Sequence, residues 1–318
     1  MKASFKRIIK NTYNNARKSI FFMLKIITPV TFIVMLLQYL DVIKYIIFIF
    51  KPLMALFGLP GDACLVIITG SLLNNYGAIA VMATMSFTVK EVTIIAVMLL
   101  FAHSLIVESA IMKGLRVSII KQLFIRFASA ISSGILLNLF IGTKYSELAY
   151  ETIIKETSIP PLTKATFLLW LKDLLQNYFL TILNTTITLI IIITGLLLGL
   201  EILKEFKILD KVNNILYKLT KYLGFSKHAQ SSLIVGVFIG ITYGASTILI
   251  NYKEGKMNTK DLKLVTTFLL LCHALIEDVL LFVNTGAITW IIIAYKLSFT
   301  ILIIMLYNIY LTAKQKQR

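Results

Sequence analysis

Two histidines, each followed by acid, sit inside long apolar runs of this 318-residue chain. His103 precedes Glu108 by five residues; His273 precedes Glu277 by four and Asp278 by five. An ionisable side chain near the centre of a bilayer costs at least ~2.5 kcal/mol, so it needs a partner or a pathway. Histidine titrates near neutral pH, so proton coupling is one chemistry open to these residues. On a continuous helix His273 and Glu277 share a face. The five-residue gap would turn Glu108 away from His103 and carry it ~7.5 Å along the axis, towards one of two polar turns. The plain alternative is that each histidine is a buried hydrogen-bonding group that ties helices together.

Those turns form the second candidate set. Asn74, Asn75 and Tyr76 precede Gly77, and Thr242 and Tyr243 precede Gly244. Non-helical backbone at membrane depth is tolerated only inside protein or beside a water-filled cavity. Freed amides and carbonyls at such a break bind polar substrates, and the following helix N-terminus adds partial positive charge. A kinked helix whose polar side chains satisfy the kink is the structural alternative. Two histidines, three acids and Cys272 offer metal-ligand types, yet their spacing matches no closed zinc motif, and no metal site is assigned. No Walker loop, dinucleotide fingerprint or nucleophile elbow occurs, so neither an enzyme nor a cofactor is expected.

The elements that carry these residues are membrane helices. Hydrophobic types make up 58% of the chain and mean hydropathy is +0.85. Long apolar runs occupy 20–40, 92–112, 123–141, 180–200, 264–283 and 288–311, each near the ~20 residues a spanning helix needs. No ten-residue alternation suggests barrel strands. The net charge of +17 follows from lysine and arginine beside the ends of apolar runs, which argues for membrane topology and against a nucleic-acid partner. Cys64 and Cys272 both lie in apolar segments and imply no disulfide framework. The first apolar run is too long for a cleavable signal. Residues 5–19 read as an amphipathic interfacial helix, with Phe5, Ile8, Ile9, Tyr13 and Ala16 facing lipid.

An internal repeat organises the chain. Residues 88–109 (TVKEVTIIAVMLLFAHSLIVES) align without gaps on 258–279 (NTKDLKLVTTFLLLCHALIEDV). Upstream, 75–78 (NYGA) matches 242–245 (TYGA), and 55–63 (ALFGLPGDA) resembles 221–229 (KYLGFSKHA). Amphipathic openings at 5–19 and 167–178 also correspond. If 62–86 and 229–250 are re-entrant hairpins, six spans place 24 of the 32 basic residues inside, including a 113–126 cluster. Both termini are then cytoplasmic. Three spans per half give the halves opposite orientation, a common design among secondary transporters.

The ordered set GLPGDA (58–63), NNYGA (74–78) and HSLIVES (103–109), with its second-half counterparts, resembles the nucleoside-recognition, or Gate, family of membrane proteins. Relatives include sporulation maturation membrane proteins, the permease part of ferrous-iron transport protein B and, more remotely, concentrative nucleoside transporters. The resemblance implies a transporter-like helical-hairpin fold and no particular substrate. The second half departs from the pattern at Phe225-Ser226-Lys227, where the first has Leu59-Pro60-Gly61.

The expected fold is an all-α, polytopic integral membrane protein of two inverted Gate-like repeats. Each has about three transmembrane helices, a re-entrant or broken hairpin and an amphipathic interfacial helix. The repeats cover 1–145 and 164–318, joined by an extracytoplasmic linker at 146–163. The expected function is a permease of the cell membrane for a small polar, nucleoside-like solute, working by alternating access. Asn74, Asn75, Tyr76, Gly77, Thr242, Tyr243, Gly244, His103, Glu108, His273, Glu277 and Asp278 would bind the solute. The alternatives are a non-transporting membrane scaffold of sporulation-maturation type and a divalent-metal permease. Partners are the lipid bilayer and the solute, with a homo-oligomer or a membrane-protein partner left open.

Overall fold

A computed structural model describes residues 2–40, 43–143, 145–150, 164–206 and 220–316. The protein is all-α and polytopic. Among the described residues five helical stretches are long and apolar enough to cross a membrane: Val89–Gly114, Ile119–Ile141, Phe167–Gly199, Thr259–Val283 and Thr289–Lys316. Shorter apolar helical stretches cover Ile27–Leu37, within a longer helix, and Ala63–Leu72.

The N-terminal half runs α1 (Lys2–Tyr39), α2 (Ile43–Ala55), α3 (Ala63–Leu72), α4 (Asn75–Met82), β1 (Phe87–Thr88), α5 (Val89–Ala102), α6 (Leu105–Gly114) and α7 (Ile119–Ile141). After β2 (Leu148–Tyr150) come α8 (Lys164–Glu205), α9 (Lys227–Ile239), α10 (Ile241–Lys253), α11 (Thr259–Cys272), α12 (Leu275–Val283) and α13 (Thr289–Lys316). Strands β1 and β2 pair antiparallel. The start of the expected linker is thereby held against the N-terminus of α5; its residues 151–163 lie outside the described residues.

The amphipathic openings are not separate interfacial helices. Lys2–Tyr39 and Lys164–Glu205 are each one continuous helix. Nothing between the amphipathic stretch and the apolar run breaks a helix at either place. Ile8 and Ala16, expected to face lipid, are buried, and α1 packs along α8 in antiparallel fashion. Arg7 pairs with Glu205, Asn11 Nδ2 donates to Glu201 at 3.1 Å, and Tyr178 donates to the Thr28 carbonyl at 3.3 Å.

Local signals explain the starts of the central helices. Thr88 and Glu91 form a reciprocal capping box at α5. At the matched position of α11, Asn258 accepts from the Asp261 amide at 2.8 Å. Asp261 instead reaches the Ser226 amide at 3.2 Å and ties α11 to α9. Gly58 and Gly224 hold left-handed backbone (φ +65° and +87°), and in both cases an added Cβ would strike a side chain, Asn138 or Asn308. The 55–63 and 221–229 turns are therefore built alike despite their sequence differences.

Each expected hairpin is a pair of packed helices, α3 with α4 and α9 with α10. The first breaks at Leu73–Asn74, where Asn74 caps α4 by accepting from the Gly77 amide at 2.9 Å. The second breaks at Gly240, two residues before Thr242, with φ +115° that only glycine adopts readily. The spans that follow, α5–α6 and α11–α12, are the most enclosed: 61% and 78% of their apolar windows are buried, against 13% for α8 and 22% for α13. They form the centre of the molecule. Across the halves α5 packs on α13, α7 on α11, and α5 on α11.

Candidate functional site

Both central spans are broken at their histidine. His103 is the C-cap of α5 and Ser104 adopts left-handed backbone (φ 50°); His273 and Ala274 (φ 43°) repeat this at α11. Non-glycine residues rarely hold this conformation, and such strain persists where the surroundings enforce it. Here the enforcement is visible. The Ser104 amide donates to the Gly70 carbonyl at 3.1 Å and the Ala274 amide to the Gly236 carbonyl at 3.3 Å, each in the neighbouring hairpin. That approach requires glycine: an added Cβ would lie 2.7 Å from Leu99 at Gly70 and 2.4 Å from Leu269 at Gly236.

A basic side chain completes each break. Arg126 of α7 is fully buried and donates to the carbonyls of Phe101 (2.8 Å) and His103 (2.6 Å) while pairing with Glu108 at 3.0 Å. Lys296 of α13, also fully buried, donates to the His273 carbonyl at 3.3 Å and lies 3.7 Å from Asp278. Both bases stand 23 residues after their histidine. The physical logic is shared. The cation faces the carbonyl-rich end of the helix before the break, and Glu108 or Asp278 sits in the first turn of the helix after it. Neither base was expected at a site. Arg126 belongs by sequence to the 113–126 cluster assigned to the inside, and Lys296 to none of the inside stretches. Both lie inside apolar spans, and that was the signal available in the sequence.

The helix breaks correct two spacing arguments. Glu108 is not turned away from His103: its Oε1 lies 3.6 Å from His103 Nε2 and 3.7 Å from His273 Nε2. The i, i+4 face shared by His273 and Glu277 does not exist, because the helix ends between them. The true counterpart of Glu108 is Asp278, whose Oδ2 lies 3.9 Å from His103 Nε2.

The two histidines meet. Their Nε2 atoms are 3.2 Å apart, across 170 residues of sequence. Each Nδ1 faces a backbone carbonyl four residues back, Leu99 at 2.9 Å and Leu269 at 2.7 Å. A carbonyl only accepts, so Nδ1 carries the hydrogen on both rings and both Nε2 lone pairs point into the shared space. Asn75 joins from the first hairpin by donating Nδ2 to Asp278 Oδ1 at 3.0 Å. Tyr76 beside it pairs with Glu277. Asn75 Oδ1, Glu108 Oε2 and Asp278 Oδ2 are buried and accept no hydrogen bond, although Glu108 Oε2 faces Arg126 Nη1 at 3.0 Å and Asp278 Oδ2 faces Lys296 at 3.7 Å.

Asn75, His103, Glu108, His273 and Asp278 thus converge, with Tyr76 and Glu277 adjoining. Asn74 serves as a helix cap. Gly77 packs near Thr69, and Gly244 packs against Leu269 and Gly236. The side chains of Thr242 and Tyr243 lie outside the described residues.

The architecture is that of a multi-pass membrane protein organised around two touching helix breaks. The chain belongs to the Gate family, described as nucleoside recognition: that family matches residues 20–118. It is similar to YvoD of Bacillus subtilis (strain 168), described as an uncharacterized membrane protein, with 31% identity over 283 residues covering 88% of each chain. No solved structure matches the chain.

Proposed function

We propose that the protein is a membrane permease for a small polar solute, with the paired breaks as its solute site and two inverted repeats, 1–145 and 164–318, as its moving parts. One observation carries this reading: helix breaks at matched positions of both halves bring ionisable groups together in the most enclosed part of the molecule. Discontinuous helices from repeats that meet at mid-depth are the recurrent design of solute sites in secondary transporters. Buried charge of this kind is expensive and marks solute or ion pathways. The cytoplasmic placement of both termini rests on the distribution of basic residues. The family's description makes nucleosides and nucleobases the first organic solutes to test, and Asn75, Tyr76 and Glu277 supply hydrogen-bonding groups for them.

The test is thermal unfolding of detergent-purified protein against nucleosides, nucleobases and divalent metal ions. A ligand that binds the native state raises the unfolding temperature with concentration. Stabilisation by one class, lost in Asn75→Ala or His103→Gln, is expected. No shift with any class, in variants that merely unfold earlier, would contradict the reading and favour a scaffold.

A further inference from the structure

From the geometry we infer that His103, His273 and Asp278, with Glu108 alongside, form a binding site for a divalent first-row transition-metal ion of the zinc type. This deepens the permease reading by naming a cation as the solute class. Metal binding itself does not depend on transport.

The first argument is the pair of lone pairs. With both Nδ1 atoms committed as donors, two acceptor nitrogens face each other at 3.2 Å, an arrangement that calls for a cation between them. Tetrahedral sites with metal–nitrogen bonds of ~2.0–2.1 Å hold their ligand atoms about 3.3–3.4 Å apart, so the rings need almost no movement. Glu108 Oε1 lies 3.6 and 3.7 Å from the two nitrogens, Asp278 Oδ2 lies 3.9 Å from His103, and the two rings with Asp278 offer ligand atoms all within 4.8 Å of one another.

The second argument is orientation. Metal-bound histidines almost always donate their other ring nitrogen to a carbonyl or carboxylate, which fixes the tautomer. His103 and His273 already do this, each donating Nδ1–H to a carbonyl, that of Leu99 or Leu269. Asn75 holds Asp278 by Oδ1, leaving Oδ2, which accepts no hydrogen bond, between His103 at 3.9 Å and Lys296 at 3.7 Å.

The third argument is charge. Three carboxyl groups, Glu108, Glu277 and Asp278, gather here with only two bases, Arg126 and Lys296, so the cluster holds one carboxyl more than it has basic partners. Imidazole ligands select zinc, copper, iron or nickel over magnesium and calcium. Lys296, 3.7 Å from Asp278, competes for the same carboxylate, which suits an ion that must also leave.

The experiment uses full-length protein purified without a polyhistidine tag and titrated with Co2+, followed by visible absorption, and with Zn2+, followed by thermal unfolding. Saturable cobalt bands at one ion per chain are expected, with stabilisation by Zn2+ and none by Mg2+ or Ca2+. His103→Gln and His273→Gln should each weaken cobalt binding about tenfold or more, and the shape-preserving Asp278→Asn should weaken it and shift the bands. Gly195→Ala, which faces open space, should bind as the parent does. Absent bands, bands indifferent to both histidine substitutions, or equal stabilisation by Mg2+ would each overturn the inference. In that last set of outcomes a proton shared by the rings takes the cation's place. Metal binding without flux would leave the site standing and contradict the permease; solute flux without metal binding would do the reverse.

Discussion

The two helix breaks share a plan and differ in how firmly they are held. In the first half Arg126 spreads its guanidinium over two carbonyls and the Glu108 carboxylate, all from its own half. In the second half Lys296 makes one 3.3 Å bond to a carbonyl and stands 3.7 Å from Asp278, while Asn75 from the other half supplies Asp278's hydrogen bond. A planar five-donor fork can serve several acceptors at once; an ammonium acts as a point charge. The first break is therefore an anchor closed within one half. The second is completed across the boundary between halves, and it is the one whose packing a change in their relation would disturb.

Removing the anchor should cost most. Arg126→Met leaves Glu108 buried beside two orphaned carbonyls and is expected to destabilise the fold by about 3–5 kcal/mol, read from unfolding in detergent. Lys296→Met loses a weaker set of contacts and should cost about 1–3 kcal/mol. Equal losses at the two bases would erase the asymmetry. The break geometry itself is probed by Gly70→Ala and Gly236→Ala, each expected to cost about 1–3 kcal/mol through the clash with Leu99 or Leu269, with the larger effect at Gly236. A double-mutant cycle between Asn75 and Asp278 should return a coupling of about 1 kcal/mol, direct evidence that the second break is held from the other half. Gly195→Ala should shift stability by less than about 0.5 kcal/mol.

Much of this was legible in the residues, and the failures have a common cause. The membrane helices, the 88–109 to 258–279 alignment and the polar hairpin around Asn75 follow from local pattern. The breaks at His103 and His273 do not. The stretches HSLIV and HALIE contain neither glycine nor proline, and nothing in their propensity announces left-handed backbone at Ser104 or Ala274. Those conformations are imposed from a distance, by carbonyls of Gly70 and Gly236 and by bases 23 residues onward. Continuous helices would pair His273 with Glu277 and turn Glu108 away from His103. The gap-free alignment places Glu108 opposite Asp278, and extending its register another 17 residues matches Arg126 with Lys296. The same locality explains α1 and α8, where composition changes along a helix that does not end.

The central claim is that the meeting of the two breaks is a solute site through which something passes. Its most direct test is uptake into sealed proteoliposomes, using the class of solute that stabilises the purified protein. Wild-type and Gly195→Ala protein should give saturable uptake. His103→Gln and Asp278→Asn protein, reconstituted to the same level and shown to be folded, should give none above protein-free vesicles. Uptake unchanged in both site variants would contradict the site, and no uptake by any folded form would contradict transport itself.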